Sequence, residues 1–144
     1  MEKKEIRKAL MDAEFARKQL LKPYFLDLGL TLGQGQPRIL RTLKTNGSMI
    51  QRELADLCRM DVTNMSRTLD RLEENGLIQR SRPQNCRRSN LIELTELGHE
   101  KAGKVVDYFQ RLDEKLCRGF TEEEMEQLLR YLQRIIQNLD GEDL

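Results

Sequence analysis

The chain has 144 residues, the length of one compact domain. It is 34% charged and 5% aromatic, with no Trp, a mixture suited to long amphipathic helices with solvated outer faces. No run of about 18 apolar residues occurs, and Met1-Glu2-Lys3-Lys4-Glu5 has no apolar leader core, so the sequence reads as a cytoplasmic protein with neither membrane span nor signal peptide.

In chain order, residues 4–28 predict a first helix. Ile6, Leu10, Ala13, Leu20, Leu21, Tyr24 and Leu28 recur near helical spacing. Pro23 is expected to bend it or end a first segment, and Gly29 to cap it. A second helix carries Ile39, Leu40 and Leu43 to Asn46-Gly47; it fits best starting at Pro37, where a missing N–H costs least, the alternative being a start at Thr31 with Gln34 completing a capping box and Pro37 inside the helix. Ser48 and Gln51 have capping-box form and open a third helix whose apolar face is Leu54, Ala55, Leu57 and Cys58. After a short turn at Arg59-Met60, Asp61 caps a fourth helix with Val62, Met65, Leu69 and Leu72 on its inner stripe, ended by Asn75-Gly76.

The period then changes. Leu77 to Arg82 and Asn90 to Leu94 predict two strands of a β-hairpin, joined by the polar tip Pro83 to Ser89. Thr95 caps a fifth helix with Ala102, Val105, Val106, Phe109, Leu112 and Leu116 apolar, ended by Gly119. Thr121 and Glu124 form a capping box for a sixth, where Met125, Leu128, Leu129, Leu132, Ile135, Ile136 and Leu139 keep the 3-and-4 spacing. The fold class is therefore mainly α with a small β-hairpin wing. One domain, 1–144, divides into a winged helix-turn-helix lobe at 37–95 and dimerisation helices at 1–30 and 96–144. The wide stripes of the first and sixth helices favour a dimer seam over an internal core.

The net charge is +1, but its distribution is uneven. Pro37 to Leu94 has 11 Lys and Arg against 7 Asp and Glu, a balance of +4, while the remainder has 14 against 17, or −3. A basic centre between acidic ends fits a DNA reader with separate oligomerisation helices. A tight turn between the third and fourth helices frees the fourth to enter a major groove. Thr63, Asn64 and Ser66 offer short hydrogen-bonding groups near its N-terminus, and Arg67 and Arg71 lie one turn apart to grip phosphates or a guanine. The hairpin adds Arg80, Arg82, Arg87 and Arg88, with no acid between Gly76 and Asn90, a wing suited to a minor groove. The competing function class is a winged-helix protein-interaction module that never touches DNA.

The strings Arg52-Glu53-Leu54-Ala55, Leu69 to Ile78 (LDRLEENGLI) and Leu91 to Gly98 (LIELTELG), in this order and spacing, resemble the MarR family of bacterial transcription regulators (multiple-antibiotic-resistance regulators) over nearly the whole chain. The resemblance implies a homodimer with interlocked terminal helices and a pseudo-palindromic double-stranded operator. It also implies repression, relieved by a small-molecule effector or an oxidant. It places Thr63, Asn64, Ser66 and Arg67 on the recognition helix and Arg88 on the wing arginine. Two features depart from the pattern. Cys86 stands where an Asp usually orients that arginine, and the loop Gly33-Gln34-Gly35-Gln36 is longer than usual.

Cys86, beside Arg87 and Arg88, is the candidate redox site, since such neighbours lower a thiol pKa. Cys58 reads as core and Cys117 as near the dimer core. Met11, Met49, Met60, Met65 and Met125 also read as core. One His, His99, and three scattered cysteines give no metal site, and no cofactor motif or catalytic constellation stands out.

Overall fold

The computed structural model describes residues 1–31, 35–82, 90–141 and 143–144. Its elements run α1 (Lys3–Asp27), α2 (Gln36–Asn46), β1 (Met49–Ile50), α3 (Gln51–Cys58), α4 (Val62–Glu74), β2 (Ile78–Ser81), β3 (Leu91–Leu94), α5 (Glu96–Leu116) and α6 (Glu122–Leu139). The chain forms two compact units, Met1–Gln110 and Arg111–Leu144.

In the first unit, α1 runs through Pro23 without ending there. It stops at Leu28, followed by Gly29 at φ 77°, a left-handed turn that suits glycine. The Lys101 ammonium donates to the Leu28 carbonyl at 2.7 Å, a cation on the negative end of the helix. Only Leu21 and Phe25 of α1 are buried. The Phe25 ring lies 5.6 Å from Phe109, and Tyr24 lies 5.0 Å from Tyr108. Ile6, Leu10, Phe15 and Leu20 face outward, and so does Met11, against its expected place in the core.

α2 starts one residue earlier than expected, so Pro37 occupies its second position, where an N–H is still dispensable. Ser48 does not open a helix. Met49 and Ile50 instead pair with Ile92 and Leu91, and α3 begins at Gln51. The Gln51 N–H donates to the Asn90 carbonyl at 2.9 Å, so a partner distant in sequence replaces the expected local cap. The wing thus has three antiparallel strands rather than two, ordered β1-β3-β2. Its second pairing sets Ile78 opposite Leu94 and Arg80 opposite Ile92.

The core joins Ile39, Leu40 and Leu43 of α2 to Leu54 and Cys58 of α3, Met65, Leu69 and Leu72 of α4, and Ile78 and Ile92 of the sheet. Each fully buried aliphatic side chain contributes roughly 1.5–3 kcal/mol. Two residues assigned inward by spacing are not inside. Leu57 is 58% exposed and Val62 75% exposed, while Thr68 takes a buried place on α4. Val62 is the first residue of its helix. The stripe continues there in sequence, but nothing is left to pack against it.

In the second unit, Thr121 and Glu124 form the expected capping box. The Glu124 N–H donates to the Thr121 hydroxyl at 3.1 Å, and the Thr121 N–H donates to the Glu124 carboxylate at 2.9 Å. Glu122, Glu123 and Glu124 complement the positive end of α6. No residue of α6 is buried within the chain, although Leu128, Leu129, Leu132, Ile135, Ile136 and Leu139 form one apolar stripe. Among the described residues, no helix is long and apolar enough to cross a membrane.

Candidate nucleic-acid interface

The turn between α3 and α4 is built from few atoms. Arg59 adopts φ 52°, a left-handed conformation that reverses the chain, and Met60 N–H donates to the Ala55 carbonyl at 3.0 Å. An Arg38 guanidinium N–H donates to the Cys58 carbonyl at 2.8 Å and satisfies an otherwise open end of α3. Asp61 then caps α4 twice. One carboxylate oxygen accepts the Asn64 N–H and the other the Asn64 side-chain amide, both at 2.8 Å.

Thr63, Asn64, Arg67 and Arg71 are exposed together on α4. Neither arginine has an ion-pair partner among the described residues. Ser66 is only half-exposed, and its hydroxyl accepts from the Gln51 amide at 3.2 Å, tying α4 to the start of α3. Arg80 departs most from expectation. Its guanidinium lies 2.6 Å from Asp70 and 3.0 Å from Glu73, and its backbone N–H donates to Glu73 at 3.3 Å. The hydrogen bond from Arg80 holds the Glu73 carboxyl below the usual carboxylate range. Arg82, one residue past β2, is exposed. Arg87, Arg88 and Cys86 lie outside the described residues.

Asn64, Arg67 and Thr68 also form one wall of a cavity of about 460 Å³ within the first unit. Leu21, Phe25, Pro37 and Phe109 give it an apolar surface, and Arg17, Lys18, Arg38, Arg41 and Arg59 a strongly basic one. Its acids are Glu14 and Asp61, and Glu14 is already paired with Arg17 at 2.6 Å. The Arg41 guanidinium sits 4.5 Å from the centre of the Phe109 ring. These basic residues come from α1, α2 and the α3–α4 turn, so no local motif could assemble them from the sequence.

Cys58 is fully buried and donates toward the Thr42 hydroxyl at 3.6 Å. Burial pushes its thiol pKa up, so little thiolate forms near neutrality. In the folded protein, a thiol alkylating agent at neutral pH is expected to leave Cys58 unmodified, with modification appearing only after denaturation. Peptide mass spectrometry would show it. Among the described residues, no cluster of His, Cys, Asp and Glu could hold a metal ion.

A short-turned helix pair, a three-stranded wing and an exposed polar-and-basic reading helix define a winged helix-turn-helix transcription regulator. The sequence model of the MarR family matches residues 32–89. An HTH-type transcriptional regulator of Bacillus subtilis (strain 168), YwoH, is 30% identical over 95 residues, covering 66% of this chain and 69% of that protein. The crystal structure of the transcriptional regulator SlyA superposes with a TM-score of 0.81 at 30% identity, over 93% of this chain and 92% of that one. A MarR family transcriptional regulator from Listeria monocytogenes, solved with a 26mer DNA, gives 0.79 at 28% identity, over 93% and 87%. The chain belongs to the MarR family of transcription regulators.

Proposed function

We propose that this chain is a homodimeric, sequence-specific double-stranded-DNA-binding regulator that acts as a repressor. The observation that carries the reading is the solvent-facing set Thr63, Asn64, Arg67 and Arg71 on α4, beside a wing that continues into Arg82. In this reading α4 lies in the major groove. Thr63 and Asn64 meet base edges, while Arg67 and Arg71 reach phosphate or guanine. Val62 adds a branched apolar group at the entry of the helix, suited to a thymine methyl. Ser66 acts from its half-buried place, and Arg82, Arg87 and Arg88 belong to the wing, which follows the adjacent minor groove. The basic cavity takes an anionic small-molecule effector with an apolar body, since both kinds of lining are present.

A footprint on the DNA flanking its own gene is expected to show two half-sites about 34–36 Å apart, one helical turn. Affinity should fall steeply between low and moderate salt. Arg67→Ala and Arg88→Ala should each cost about 1 kcal/mol or more at fixed salt. If both leave the affinity unchanged, the reading-head assignment fails.

A further inference from the structure

The reading helix is not basic by itself. From Val62 to Glu74 it carries Arg67 and Arg71 against Asp70, Glu73 and Glu74, a formal charge of −1. A helix of that charge is repelled by phosphates at close range. The compensation comes from outside the helix. Arg80 is held opposite Ile92 by the β2–β3 pairing, and its side chain is only 21% exposed. It reaches back across the turn to Asp70 at 2.6 Å and Glu73 at 3.0 Å, and its backbone N–H joins Glu73 as well.

We propose that Arg80 is a positioning residue: it masks Asp70 and Glu73 on the reading helix and locks the wing to it, and it does not contact DNA. The inference rests on the DNA-binding reading above. Three donor contacts from one residue to two carboxylates fix both the strand and the side chain. The nitrogen that makes both ion pairs, Nη2, is thereby committed to the acids. Loss of Arg80 therefore acts twice, by releasing the wing and by exposing two acids where DNA must approach.

The test compares Arg80→Ala with the triple variant Asp70→Asn, Glu73→Gln, Arg80→Ala, and with Arg82→Ala as a contact control. The probes are a duplex from upstream of the protein's own gene and a random-sequence duplex, each titrated across a salt series. Arg80→Ala is expected to weaken binding to both duplexes by about tenfold or more. The triple variant should regain part of that loss, the part due to the exposed acids, and keep the parent's salt slope, whereas Arg82→Ala should lower the slope by about one. A triple variant that stays weak, with a slope reduced by about one, would show that Arg80 itself neutralises a phosphate and would overturn the proposal.

A thermal double-mutant cycle on the free protein supplies the second arm. Arg80→Ala should lower Tm, and Glu73→Gln should lower it in the parent but not in the Arg80→Ala background. Additive losses would overturn the pin. If the parent binds neither duplex, the DNA reading falls, and the cycle still decides whether Arg80 holds the wing.

Discussion

Replacing Ile136 by Glu is expected to convert the protein from dimer to monomer and to reduce operator affinity by two to four orders of magnitude. Ile136 is 57% exposed within the chain. At such a site a surface substitution normally changes monomer stability by within about 0.5 kcal/mol. The stripe around it is continuous, however. Leu129, Leu132, Ile136 and Leu139 succeed one another at three- and four-residue intervals, with Leu128 and Ile135 flanking them. An apolar face of this width on a helix with no buried residue needs a partner to cover it, and in this family reading the partner is a second copy. A carboxylate at its centre would be buried without a counter-charge. Two linked reading heads gain roughly 10²–10⁴ in affinity over one, and that gain disappears with the dimer. Sedimentation at micromolar concentration, together with a gel-shift, measures both effects. A variant that remains dimeric and binds normally would move the seam away from α6.

The second large effect is on stability. Gly98→Ala is expected to destabilise the fold by about 3 kcal/mol or more, lowering the thermal midpoint by roughly 10 °C for a chain of this size. Gly98 is buried in the first turn of α5, where the backbone needs no special conformation. The need is for space. A methyl group there would collide with the Leu77 carbonyl oxygen, would lie 2.9 Å from its carbon, and would lie 3.3 Å from a Leu94 methyl. The carbonyl cannot move freely, because it accepts the Thr95 N–H at 3.0 Å. The Thr95 hydroxyl, in turn, donates to the Gly76 carbonyl at 2.5 Å and accepts the Gly98 N–H at 3.0 Å. The end of α4, the start of the wing and the start of α5 therefore meet at one packed point. Gly103, on the same helix, has nothing within 4 Å of the equivalent position. There the ordinary helical preference for Ala should prevail, stabilising by up to about 1 kcal/mol. Opposite signs for two Gly→Ala changes in one helix, read by calorimetry at fixed protein concentration, would verify the account. Equal signs would contradict it.

Local signals were readable wherever local chemistry decided the outcome. Asp61, Thr95 and Thr121 each cap the helix their position announced, and Asn75-Gly76 ends α4. Gly29 likewise follows the end of α1 with a positive φ. What escaped was decided at a distance. β1 is two residues long, too short for any period, and exists only because β3 lies beside it. That pairing also displaced the box expected at Ser48. Periodicity placed Val62 and Leu57 inside, since spacing describes a face but not where the neighbouring body stops. For the proposed site, the exposed polar and basic residues of α4 could be grouped from sequence, because one helix carries them all. Arg80 could not. It stands seven and ten residues from its two acids, across a chain reversal, and only the strand register brings it back over α4. Its arginine neighbours in sequence gave no sign of those two ion pairs.

The cavity in the first unit shares Asn64, Arg67 and Thr68 with the helix assigned to DNA. On the proposed reading, effector and DNA therefore draw on the same side chains. A molecule seated against that wall needs no relay through the rest of the protein to be felt at the groove. Asn64 and Arg67 cannot serve both at once, so occupancy and address compete for one face of the same thirteen-residue rod.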